Sequence, residues 1–137
     1  MMNDKTEIVN YMNSCNKCFA AFLGEENYPE IVSIKFHIVH KDLIMIGVEQ
    51  KYLKGFDVAS NKKIAITMWD KIKGYQVKGT KIVEHLKEYE DILSSYKNSL
   101  ENKGINSVEI TFTVYKIEEI YHVTPGKFAG KKIEMEV

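Results

Sequence analysis

The chain has 137 residues, 45% hydrophobic and 28% charged, with 19 basic residues balanced by 19 acidic ones. This length and apolar content fit one globular domain over residues 1–137 and exclude a disordered or fibrous chain. Zero net charge removes the usual driving force toward nucleic acid or an anionic membrane. Because every basic residue is Lys, a bound anion must be held by ammonium groups and backbone donors, with no guanidinium fork.

In chain order, residues 3–15 set Ile8, Tyr11, Met12 and Cys15 at helical spacing behind a cap at Asn3 or Asp4, predicting a short helix. Phe19 to Leu23 predicts a buried strand, ended by the turn-rich 24–29 segment. From Glu30 to Val39 the alternation predicts one strand, with Val32, Ile34, Phe36 and Ile38 facing a core and Ser33, Lys35 and His37 on a polar face. His40 to Asp42 turns the chain into Leu43–Val48, apolar throughout and expected to be buried on both sides. Residues 50–61 suggest a short helix bearing Leu53 and Phe56, and Ile64–Trp69 another buried strand. Tyr75–Glu84 follows after a turn at 70–74.

Leu86, Tyr89, Leu93, Tyr96 and Leu100 recur at steps of three and four, predicting the longest helix over 86–102, with Gly104 as its stop. Val108, Ile110, Phe112 and Val114 alternate along a last long strand running toward Tyr121, and 122–137 shows no period. About six strands joined mostly by short turns, with three helices at the edges, predict a mainly β fold: a small antiparallel barrel with peripheral helices. No apolar run approaches the roughly 18 residues of a membrane span and no leader-like segment opens the chain, so a cytoplasmic protein is expected.

Motifs with known chemistry are few. Cys15 and Cys18 form C-x-x-C at the end of a helix, whereas a redox pair wants a helix start, where the positive dipole end lowers a thiol pKa. A zinc site would need His37 and His40 as further ligands, and ordinary reduced cysteines are the simpler reading, so no metal is expected. Hydrolase elbows, phosphate loops and dinucleotide fingerprints are missing. What remains is a lysine group: Lys51 and Lys54 at the start of a predicted helix, Lys35 on a neighbouring strand, and Lys73 and Lys78 around Gly74-Tyr75-Gln76. Ammonium groups beside free helix N–H donors suit a phosphate, and a plain solvated face is the competing reading. Trp69 and Tyr75 fit core or interface filling as well as ring stacking.

The element order, with Ile64-Ala65-Ile66-Thr67-Met68-Trp69-Asp70, Lys73-Gly74-Tyr75-Gln76-Val77-Lys78-Gly79-Thr80 and the tail Val123-Thr124-Pro125-Gly126, resembles the pyridoxamine 5'-phosphate oxidase-like FMN-binding split-barrel family. So does the later Ala129-Gly130-Lys131-Lys132, and the likeness spans residues 5–133. The resemblance implies a six-stranded antiparallel split barrel that dimerises and holds FMN between the subunits. Carried over as cofactor-binding are Val32, Ser33, Ile34 and Lys35, then Ile46, Gly47 and Val48, with Lys51, Lys54, Gly74, Tyr75 and Gln76. The segment 124–127 is expected to reach the partner.

In that family a basic pair closely followed by Asn holds the phosphate. This chain keeps Lys54 but has Leu53 and Asp57 in the other places. Oxidation of pyridoxamine phosphate itself is not expected, since the family's longer Arg- and His-bearing C-terminal region has no counterpart here. The expected function is flavin-mediated electron transfer to a small acceptor in a homodimer. The alternatives are a non-catalytic module for flavin or another phosphorylated or aromatic ligand, and a ligand-free dimeric scaffold. No catalytic residue is assigned.

Overall fold

A computed structural model describes residues 5–23, 28–52, 62–82, 87–105, 109–127 and 129–134. Helix α1 (Lys5–Ser14) leads into β1 (Lys17–Leu23), β2 (Pro29–Ser33), β3 (Phe36–His40) and β4 (Leu43–Glu49). A 3-10 turn at Gln50–Tyr52 follows, then β5 (Lys63–Asp70), β6 (Lys73–Lys81), α2 (Lys87–Asn102) and β7 (Ile110–His122). The strands make one antiparallel sheet in the order β2-β1-β5-β6-β7-β4-β3. Beyond the 3-10 turn, the helix expected over 50–61 lies outside the described residues, as do Leu53, Lys54 and Asp57. Among the described residues, no helix is long and apolar enough to cross a membrane.

The strand expected over 30–39 is two strands, and they occupy opposite ends of the sheet order. The backbone changes partner between two consecutive residues. The Ile34 N–H donates to Cys18 O at 2.9 Å and the Lys35 N–H to Gly47 O at 2.9 Å. One continuous chain thus serves both edges and curls the sheet into a split barrel, which accounts for seven strands where six were expected.

The hand-over also shifts the alternation by one residue. Val32 and Ile34 point into the core, but beyond the break Val39 is the buried residue and His37 reaches the α1 backbone, its Nε2 lying 2.7 Å from Met12 O. His37 therefore faces inward, not outward with Ser33 and Lys35. Phe36 and Ile38 face the other way, toward α2, where Phe36 meets Tyr96 edge-on at 5.6 Å.

The sheet consequently has two apolar sides around β4, and all six residues from Leu43 to Val48 are buried or packed. Ile44, Ile46 and Val48 join the barrel core with Ala20, Ile66, Met68, Val77 and Tyr115. On the outside, Tyr96 packs edge-on against both Phe36 and Phe112. The apolar alternation of Ile110, Phe112 and Val114 marks this α2 side, because these residues pair with Glu49, Gly47 and Met45. The barrel interior instead takes Thr113 and Tyr115.

Helix α1 closes the barrel with Ile8 and Met12 inserted into its core. Asn13 fixes its place. Its side-chain amide donates to Val39 O at 2.9 Å and its Oδ1 accepts from Val39 N–H at 2.7 Å. That amide stands in for the neighbouring strand that edge strand β3 lacks. At its end α2 follows the sequence expectation: Gly104 takes φ +77°, its N–H donates to Glu101 O and the Ile105 N–H to Leu100 O, a Schellman ending.

A register shift at Lys78/Gly79 interrupts the β6–β7 ladder. A Cβ on Gly79 would lie 2.8 Å from the Lys116 carbonyl oxygen and 3.2 Å from the Tyr115 Cβ. Gly79→Ala is therefore expected to destabilise the fold by about 1–3 kcal/mol, read as a lower urea midpoint with an unchanged m-value. An unchanged midpoint would show that the β7 backbone yields there without cost.

Candidate cofactor-binding site

The bend at Ile34–Lys35 makes a concave corner of about 320 Å³, lined by Asn16, Ser33, Ile34, Lys35 and Glu49. Its charges are built from local sequence. Glu49 ends β4, two residues beyond Gly47 and so on the same side of that strand. Lys35 is bonded through its N–H to Gly47, and Lys51 lies in the 3-10 turn that follows. Lys35 Nζ is 3.6 Å from Glu49 Oε1 and Lys51 Nζ is 3.2 Å from Oε2, one ammonium for each carboxylate oxygen. Both lysines are largely exposed and Glu49 is half-buried.

From this corner a row of side chains crosses the outer face of the barrel. The registers pair Ser33 with Phe19, Phe19 with Thr67, Thr67 with Gln76 and Gln76 with Tyr121. Paired residues share a face, so this row offers hydroxyl, aromatic, hydroxyl, amide and phenol groups in turn, one per strand spacing of about 4.8 Å. Phe19 is stacked on Trp69, centroids 5.5 Å apart and 17° between planes. Beside it runs a second row, Ile31, Ala21, Ala65, Lys78 and Glu119. Ile31 at 70% and Leu23 at 55% exposure put an apolar patch at its end.

The residues expected around a cofactor are thus divided between places. Ser33, Lys35 and Lys51 come together at the corner, and Gln76 shares the face of Ser33 three strands away. Val32, Ile34, Ile46 and Val48 point into the barrel core. Tyr75 does too, edge-on to Tyr11 at 5.8 Å; these five support the outer face from beneath. Gly47 and Gly74 are close-packed rather than open: a Cβ on Gly47 would come within 3.0 Å of Ile110 and Phe112, and one on Gly74 within 2.6 Å of the Trp69 Cβ. Lys54 lies outside the described residues. Sequence reasoning missed Glu49 and Asn16, since an acid at a strand end and an Asn in a short connection have no periodic signal.

The cysteines sit in the barrel core. Burial pushes the Cys18 thiol up to about 12 and raises that of Cys15, and the Cys15 thiol donates to Tyr11 O at 3.4 Å. Both are protonated, weakly reactive thiols. Among the described residues, no group of three His, Cys, Asp or Glu side chains is placed to hold a metal ion.

Neither a protein-family model nor a curated protein matches the sequence. Solved structures do match in shape. HupZ of Group A Streptococcus gives a TM-score of 0.68 at 16% identity, covering 95% of this chain and 100% of its own. A Clostridium acetobutylicum protein related to general stress protein 26, described as of the pyridoxinephosphate oxidase family, gives 0.58 at 18% identity, covering 94% of this chain and 90% of its own. The chain has the split-barrel fold of the pyridoxamine 5'-phosphate oxidase-like proteins. HutZ of Vibrio cholerae, described as a haem storage protein, shares this split barrel with a TM-score of 0.60 at 8% identity, covering 88% of this chain and 95% of its own.

Two imidazoles tie the split barrel to pH. Burial lowers the pKa of His37, against the opposing effect of its bond to Met12 O, and burial with the nearby Lys73 charge lowers that of His122. Unfolded, each gains a proton near the ordinary value of 6.5; folded, each resists it. Their contribution to stability is complete above that pH and is lost as pH falls below it toward the folded values. The urea midpoint is expected to drop between about pH 7 and pH 5. His37→Gln, which keeps a donor for Met12 O but cannot take up a proton, should flatten that drop, and an equally steep one would show that His37 does not resist protonation.

Proposed function

We propose that this split barrel is a homodimeric flavin-binding protein that holds FMN between two copies, with the outer face of β2, β1, β5 and β6 forming one wall. The observation that carries this reading is the row Ser33–Phe19–Thr67–Gln76–Tyr121, whose Ser33 end lies beside Lys35, Glu49 and Lys51. It sets an aromatic and hydrogen-bonding strip, suited to a flat heteroaromatic ring, next to ammonium groups suited to an anionic tail. The exposed Ile31 and Leu23 supply the apolar area that a second copy would cover.

The residues present fit the cofactor on one side, and the second wall falls to the partner copy. Ser33 and Gln76 would meet polar edges of the ring, Phe19 and Trp69 one of its faces, and Lys35 and Lys51, with Lys54, the phosphate. Bound FMN supplies the electron-transfer chemistry, and the protein orients it and limits water access. Passing electrons from a small reduced donor to a small acceptor is the activity proposed.

One observation favours a second reading, a binding or storage module without turnover. Among the described residues, the corner is lined by Asn16, Ser33, Ile34, Lys35 and Glu49, with no histidine, cysteine or tyrosine for proton transfer at that end of the row. That HutZ is described as a haem storage protein makes a haem-type ring the second ligand to try.

FMN titration should give the two-banded flavin spectrum with quenched emission, and no saturable change would reject the flavin reading. Under anaerobic NADH or NADPH the bound flavin should bleach; a flavin that stays yellow selects storage. Trp69→Ala is expected to weaken FMN about tenfold. Light scattering should give a dimer for the wild type, which Ile31→Glu should convert to monomer with release of the flavin; a monomeric wild type that still binds FMN would reject the shared cleft.

A further inference from the structure

Among the described residues that line the corner, Glu49 is the one acid, and its geometry says what it does there. Each of its carboxylate oxygens faces a different ammonium group, Lys35 at 3.6 Å and Lys51 at 3.2 Å. The carboxylate offsets part of the charge of this lysine pair. A phosphate monoester carries close to two negative charges at neutral pH. To meet both lysines it must displace the carboxylate or settle beside it, and both oppose binding. An uncharged ring or sugar-alcohol chain meets no such opposition.

We infer that Glu49 sets the selectivity of this site between phosphorylated and unphosphorylated flavin, acting as a resident anion that competes for Lys35 and Lys51. The inference rests on the flavin reading above and adds to it the residue that fixes how much the phosphate contributes. The wild-type protein accordingly prefers FMN over riboflavin by a small factor only. The lysines are largely exposed, so the competition is between screened charges and is salt-sensitive.

The test compares FMN and riboflavin affinities, by quenching of flavin emission, for wild type and Glu49→Gln. The amide keeps the shape and removes the charge. The FMN-to-riboflavin preference is expected to rise about tenfold in the variant at low salt, through tighter FMN binding with riboflavin unchanged, and to shrink again at about 0.5 M salt. An unchanged preference, or an equal gain for both flavins, overturns the inference. Lys35→Met provides an independent arm should Glu49→Gln not fold: it should weaken FMN and leave riboflavin unchanged, and an equal loss of both overturns the inference likewise. A wild type that binds neither flavin marks the failure of the flavin reading itself, recognised before any variant is compared.

Discussion

The structure depends on two neighbouring peptide groups that bond in different directions. Ile34 N–H joins β1 and Lys35 N–H joins β4, strands with β5, β6 and β7 between them in the sheet. With this hand-over the edge strands β2 and β3 are one piece of chain, the sheet curls, and an interior exists for Met12, Ile66 and Tyr115 to fill. The same bend sets the concave corner. Ser33 emerges just before it, Lys35 lies on it, and Gly47, which accepts the Lys35 N–H, is two residues from Glu49. Barrel closure and the charged corner are therefore a single structural event.

The two outer surfaces of the barrel then part company. Around β3, β4 and β7 the outside is packed by α2, with Tyr96 between Phe36 and Phe112; burial pushes the Tyr96 phenol up to about 12. Gly47 belongs to this packing, since no Cβ fits against Ile110 and Phe112. Around β2, β1, β5 and β6 the outside keeps Ile31, Ser33 and Lys78 exposed. A face with apolar, aromatic and polar groups in ordered rows is unlike a merely solvated surface, where charge would dominate.

Much of the fold was legible because it is local. Helical spacing and the Gly104 stop located α2, and the spacing of Ile8 and Met12 located α1. The 30–39 strand misled for the opposite reason: its alternation is real on each side of residue 34, but the partners that split it are far away in sequence. Periodicity also reports that a strand has two faces without saying which layer each one meets, so Phe36 and Ile38 read as barrel core when they pack under α2. The site shows the same limit. A run such as 32–35 or 46–48 alternates across the sheet, so only part of it can reach any one ligand. Lys35 and Ser33 lie on the accessible side, and Ile34 and Val48 do not. Glu49 was illegible because one of the two lysines it pairs with, Lys35, is brought to it by a backbone bend.

The absence of Arg gives these acids their weight. At the corner and along β7, lysines pair with glutamates: Lys35 and Lys51 with Glu49, Lys63 with Glu118, and Lys132 with Glu119. On the β7 side the carboxylates are also held by hydroxyls, Glu118 by Thr80 and Glu119 by Tyr121, and these bonds lower the pKa of both acids. Such carboxylates stay ionised and engaged. A guanidinium could discriminate among anions through its planar fork, but an ammonium on a flexible stem has little directional preference. At the corner the two ammonium groups share one glutamate, whose charge offsets part of theirs.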